Sequence, residues 1–199
     1  MQPERRMMRR ADLAASDDGQ TVKGYAAVFN SDADIGGYWI ERIAPGAFSA
    51  SLDGDVRALV DHDSGRVVGR TDAGTLRLNE DERGLACEID LPDTNDGRDM
   101  AVLIKRGDIT GMSFGFIVTK QEWDETVDPP VRTIQAVDLH EVSIVAFPAY
   151  QDTEIALRSS QAVVELRKRT DIARTAAAAQ ARDAYSRRKA EAEHKFRRI

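Results

Sequence analysis

The stretch Thr110-Gly111-Met112-Ser113-Phe114-Gly115-Phe116 decides how this chain is read. A small hydroxyl residue stands between two glycines, bulky apolar residues flank it, and Ile117-Val118 follow. Alternation and aromatic content predict a strand. Glycine inside a strand removes a side chain and lets another backbone or a ligand approach closely. Ser113 then has two readings. It is a nucleophile with room beside it for a substrate peptide and an oxyanion, or it is a buried hydroxyl bonded to backbone. The heptad leaves both open.

Moving outward, Gly107 closes a helix over Arg98–Arg106 that Thr94-Asn95-Asp96-Gly97 begins. Before it, Thr75–Asn79 and Leu85–Leu91 flank the charged loop Glu80–Gly84 as a hairpin. Leu85, Cys87, Ile89 and Leu91 fall on one face of the second strand. Val56–Val60 is a strand running into Asp61-His62-Asp63-Ser64-Gly65, and Arg66–Arg70 continues extended. Thr21–Phe29 and Tyr38–Ile43 are earlier strands, and Ala44–Leu52 is a turn entering a short helix, where proline is tolerated. After the heptad comes an acidic loop, Gln121–Pro130, and then two strands, Val131–Ile134 and Val137–Phe147. Seven or eight strands with hairpin-length connections predict a mainly β protein: an antiparallel β-barrel or strongly curved sheet with flanking helices.

The chain has 199 residues, enough for one full-sized domain with an appendage. Its net charge of -6 hides an asymmetry: residues 158–199 hold 12 Lys+Arg against 5 Asp+Glu, and residues 1–157 hold 16 against 29. An acidic body with a basic tail is a reason to divide the chain there. We expect a flexible basic N-terminus over residues 1–20, a β domain over 21–153 and a basic helical tail over 154–199 that docks on a partner. The tail has no proline or glycine and contains Ala176-Ala177-Ala178-Ala179, a helix former by propensity. One cysteine, Cys87, allows no intrachain disulfide and predicts a reducing compartment. The basic N-terminus lacks the apolar core of a secretory signal, and no apolar run approaches the roughly 20 residues that span a bilayer. A soluble protein with no membrane partner is the expectation. Nucleic-acid binding by an acidic body is electrostatically disfavoured.

Three histidines, His62, His140 and His194, bear on chemistry. His194 lies in the charged tail. His62 ends an apolar strand between two aspartates, and an imidazole there can accept a serine proton at neutral pH. Its bland reading is a turn histidine steadied by neighbouring carboxylates. His140-Glu141 interrupts an apolar run, and a charge in a buried strand needs a partner. The far nitrogen of His62 is the economical one, held in its tautomer by an acid or a second imidazole. Alternation sends His140 and Glu141 to opposite faces, so one of them at most fills this role. Asp61, His62, Asp63 and His140 are the candidates for a competing metal site, but they lack tight ligand spacing. No cofactor is expected. Cys87 falls on an apolar face, where a thiol stays protonated and inert.

Five motifs occur in order: Gly24-Tyr25-Ala26-Ala27-Val28-Phe29, Glu41-Arg42-Ile43-Ala44-Pro45-Gly46-Ala47-Phe48, His62-Asp63, Gly111–Phe116 and Leu139-His140-Glu141-Val142-Ser143-Ile144-Val145-Ala146-Phe147-Pro148-Ala149. Together, over residues 22–153, they resemble the HK97-type prohead proteases of tailed phages. The resemblance implies a serine endopeptidase with the herpesvirus-assemblin-like fold, a β-barrel surrounded by helices. Such an enzyme is packaged in the procapsid in the host cytoplasm, removes the scaffolding segment of the major capsid protein, and then digests itself. Carried over by motif, Ser113 is the nucleophile and His62 the general base. The third member resembles Glu141, which begins the family's Glu-Val-Ser-x-Val pattern, with His140 as the alternative because the herpesvirus relatives use histidine. Those relatives dimerise and carry an arginine pair near the oxyanion. Arg66 and Arg70 are the candidates here, and backbone N–H donors are the simpler choice. Two rival functions remain: an assembly factor that keeps the fold without turnover, and a metal-dependent hydrolase centred on His62.

Overall fold

The computed structural model describes residues 3–8 and 12–146, and the expected tail over 154–199 lies outside them. Eleven strands, one α-helix and one 3-10 turn make up the described residues. In chain order the strands are β1 (Glu4–Met8), β2 (Ala14–Ala15), β3 (Thr21–Val28), β4 (Ala33–Ile35), β5 (Trp39–Ile43), β6 (Arg57–Val60), β7 (Asp63–Arg70), β8 (Leu76–Glu80), β9 (Gly84–Asp90), β10 (Gly111–Asp124) and β11 (Val131–Val145). The 3-10 turn is Ser49–Ser51, and the helix α1 is Asn95–Arg106.

The helix follows its sequence signals closely. Thr94 caps it by accepting from the Gly97 N–H, and Gly107 ends it in the left-handed region at φ 81°. Met100 and Ile104, four residues apart, turn into the core. The β8–β9 hairpin also forms where expected, and Leu85, Cys87 and Ile89 are buried along one face.

Strand β11 is the spine of the larger sheet. Along one edge it pairs antiparallel with β10. Along the other its first half runs parallel to β5 and its second half parallel to β6. β1 pairs with the free edge of β10, β4 with β5, and β7 with β6. A second, four-stranded sheet runs β2-β3-β9-β8 and is antiparallel throughout. The core between the sheets includes Val22, Leu85, Ile89, Phe48, Met112, Phe114, Phe116 and Ile144, all essentially without solvent exposure. Phe48 stacks near Phe29 at 6.3 Å and meets Phe114 edge-on at 5.4 Å, centroid to centroid.

Mainly β is therefore the architecture, with several departures from expectation. Among the described residues the two sheets do not close into a barrel, and the larger one is mixed rather than antiparallel. The parallel pairs join strands far apart in sequence, which no turn signal announces. Val131–Ile134 and Val137–Phe147 are not separate strands: one strand runs through Gln135-Ala136 to Val145, with irregular register opposite Val118–Gln121. β10 likewise extends through Gln121-Glu122-Trp123-Asp124, shortening the expected acidic loop. Residues 4–8, expected as part of a flexible arm, form the edge strand β1.

A buried carboxylate, a partly buried one and two arginines hold β1 in place. Arg6 donates to Glu41 through Nε and Nη2 and to Glu4 through Nη2. Arg132 donates to Glu41 at 2.9 Å and to Glu4 at 3.0 and 3.1 Å. Glu41 and Arg132 side chains are only 3% and 4% exposed, so each charge depends on the other. Burial pushes the Glu4 carboxyl up, but the Arg132 hydrogen bond and the Arg6 charge outweigh it and hold Glu4 below its ordinary value.

Candidate active site

The antiparallel register of β10 on β11 sets the site. Ser113 stands opposite Ser143, and Gly115 opposite Glu141. Directly opposed residues, and residues two apart on one strand, share a face, so these four positions lie on the same side of the sheet. Ser113 and Ser143 are fully buried. The register then slips, pairing Phe116 with Leu139, and His140 is left over as the bulged residue.

His62 reaches this face from the tip of the β6–β7 hairpin. Val60 pairs with Asp63, so the loop is only Asp61-His62, and both residues have positive φ, 49° and 61°. That is the backbone of a type I′ turn, which normally takes Asn-Gly or Asp-Gly. For non-glycine residues the left-handed region costs about 1–2 kcal/mol each. Neighbouring contacts hold the conformation: the Asp61 N–H donates to the Ile144 carbonyl at 2.9 Å, and the Ala146 N–H donates to Asp61 Oδ1 at 3.0 Å. The expected turn over residues 61–65 is thus tighter, with β7 starting at Asp63.

The imidazole of His62 meets Glu141, with Nδ1 2.6 Å from Oε1. The other carboxylate oxygen, Oε2, accepts a hydrogen bond from Ser143 Oγ at 2.6 Å. Arg5 Nε lies 3.9 Å from Oε1. Gly115 explains how the carboxylate fits: a Cβ there would lie 2.5 Å from Glu141 Oε1. The close approach expected at the strand glycine is real, and what approaches is this side chain.

Ser113 Oγ donates to the backbone carbonyl of Arg6 in β1, at 2.9 Å. His62 Nε2 is buried without a hydrogen-bond partner among the described residues. Serine and imidazole therefore share a face without being hydrogen-bonded, a separation common in catalytic sites free of substrate. His140 faces elsewhere, with Nε2 3.7 Å from Asp138 and a side chain 42% exposed. Of the two neighbours, Glu141 is the one that contacts His62.

The remaining candidates are committed elsewhere. Asp63 accepts from the Gly65 N–H, and no group of three or more His, Cys, Asp or Glu among the described residues is disposed to hold a metal. Cys87 is buried, donates to the Gly24 carbonyl, and burial pushes its thiol up to about 12. Arg66 binds Asp96, and Arg70 binds Asp55 and Asp72. The residues that sequence reasoning missed are Ser143, Arg5 and Arg6. Ser143 was within sight, two residues beyond Glu141 on one strand face. The arginines had no signal, because their strand was not foreseen.

The family model for the caudovirus prohead serine protease matches residues 6–168, which include every residue of this site except Arg5. The chain belongs to that family. It is 34% identical over 147 residues to the prohead protease of Enterobacteria phage HK97, covering 69% of this chain and 60% of the relative. It is 36% identical over 104 residues to the prohead protease of Escherichia phage T5, covering 51% of this chain and 45% of that relative. The chain thus spans about half the length of the curated relatives it matches. No solved structure matches it. Among the described residues no helix is long and apolar enough to cross a membrane.

Proposed function

We propose that this chain is a serine endopeptidase that cleaves capsid or scaffold protein inside the procapsid during head maturation, and then itself. The observation that carries the reading is the 2.6 Å contact of His62 Nδ1 with Glu141 Oε1 on the sheet face that Ser113 shares. Family membership supports it.

In this mechanism Glu141 accepts a hydrogen bond from the His62 Nδ1–H and fixes the tautomer, leaving the Nε2 lone pair to act as base. Ser113 exchanges its hydrogen bond to the Arg6 carbonyl for one to Nε2 and gives up its proton there. Oγ attacks the peptide carbonyl, and the imidazolium returns the proton to the leaving amine. A water activated the same way hydrolyses the acyl-enzyme. Backbone N–H groups supply the oxyanion donors, consistent with Arg66 and Arg70 being bound to carboxylates. The two sheets correspond in this reading to the barrel of the herpesvirus-protease type. The major capsid protein and its scaffolding segment are the partners, the procapsid in the host cytoplasm is the location, and a homodimer is the form the relationship suggests.

The deciding experiment is co-expression of the full chain with its capsid protein, read by mass spectrometry, for the parent and for Ser113→Ala. Capsid-protein truncation and self-cleavage that both depend on Ser113 support the proposal. Intact capsid protein with either version, together with normal shells, refutes it and leaves a non-catalytic assembly factor.

A further inference from the structure

Glu141 is held at both carboxylate oxygens, and only one of those contacts belongs to His62. Ser143 Oγ donates to Oε2 at 2.6 Å, from a residue with no solvent exposure. A glutamate side chain has three rotatable bonds, and a single contact to an imidazole that must itself move leaves it free to change rotamer. The second hydrogen bond, from a hydroxyl fixed two residues along the same strand, removes that freedom. Gly115 completes the arrangement from the facing strand, because any Cβ there would occupy the space of Oε1.

We infer that Ser143 is a positioning residue that orients the Glu141 carboxylate toward His62 Nδ1, an inference resting on Glu141 being the third catalytic member. Ser143 acts only through Glu141, which distinguishes it from a hydroxyl that merely fills the core. A core-filling serine affects folding stability and leaves the imidazole undisturbed.

The test uses the full chain and a fluorophosphonate that labels the catalytic serine, with labelling rate as the readout. Losing one hydrogen bond to a charged group corresponds to a slowing of about 10- to 100-fold in Ser143→Ala. Ser143→Thr, which keeps the hydroxyl, restores most of the rate. In a Glu141→Gln background the same Ser143→Ala change slows labelling less than about 2-fold, because the group it orients is already gone. The His62 Nδ1–H proton resonance is expected sharp at low field in the parent and broadened in Ser143→Ala. Unchanged labelling with an unchanged His62 resonance overturns the inference, as does an effect that multiplies in full with Glu141→Gln. Parent-like labelling of Glu141→Gln refutes instead the catalytic reading of Glu141, so the two failures are distinguishable. Should Ser143→Ala not fold, Ser143→Cys, nearly isosteric and a weak donor, carries the same comparison.

Discussion

Gly115 is the residue whose substitution separates folding from function. An added Cβ meets the end of the Glu141 side chain at 2.5 Å, and a side-chain end can swing aside where backbone could not. Gly115→Ala is therefore expected to fold, with a thermal midpoint close to the parent, yet to lose at least about 10-fold in serine labelling because the carboxylate is driven off His62. Glu141→Gln is expected to slow labelling by about 100-fold or more, and His140→Ala to stay within about 2-fold, since His140 lies against Asp138 and makes no contact with His62. A large loss in His140→Ala with a mild one in Glu141→Gln would reverse the assignment. Sequence reasoning named Ser113, His62 and Glu141 as candidates through residue chemistry and the family motifs, with His140 as the alternative third member. It did not settle His140 against Glu141, because strict alternation assumes an unbroken ladder and the bulge at His140 breaks it. The turn after Val60 was legible, but its tightening to Asp61-His62 was not, since the second position of such a turn normally carries glycine.

Among the elements, β1 carries the strongest prediction. Glu41→Gln leaves the buried Arg132 and its neighbour Arg6 with only the partly exposed Glu4 as counter-charge, and breaking a buried pair costs up to about 3–5 kcal/mol. Urea unfolding should register that loss. Glu4 adds a pH dependence whose sign follows from its lowered carboxyl. A group stabilised in its charged form contributes fully above the ordinary value of 4.5, and the contribution disappears as pH falls through the lower folded-state value. Parent and Glu4→Gln should thus differ in urea midpoint at pH 7 and converge only below about pH 4.5; a constant difference down to pH 3 would contradict this. β1 escaped sequence reasoning because Glu4-Arg5-Arg6 lacks an apolar alternation. What makes it a strand is a pair of partners, Glu41 and Arg132, far away in the chain.

At the scale of the whole molecule, the sheets are joined through aromatic packing. Phe48 touches Phe29, which follows β3 of one sheet, and Phe114 in β10 of the other. Phe48→Ala empties a fully buried site and is expected to cost about 3–5 kcal/mol, with a single cooperative unfolding transition retained. Two separate transitions would mean that the sheets are independent. Local hairpins such as β8–β9 were legible because turn and alternation lie in one short window. The parallel neighbours of β11 were not, because only the completed tertiary structure brings β5 and β6 beside it.

The long separations within the site have a consequence during synthesis. His62 and Glu141 are 79 residues apart, and the Ser113 hydroxyl is bound by a carbonyl 107 residues earlier. At roughly 5–20 residues per second, a ribosome adds Glu141 about 4–16 s after His62. Until β11 emerges, β10 lacks its long partner, and the imidazole lacks its carboxylate. On the proposed mechanism, then, a growing chain carries its nucleophile and its base without a working protease, and cannot digest itself or its neighbours until β11 has been added.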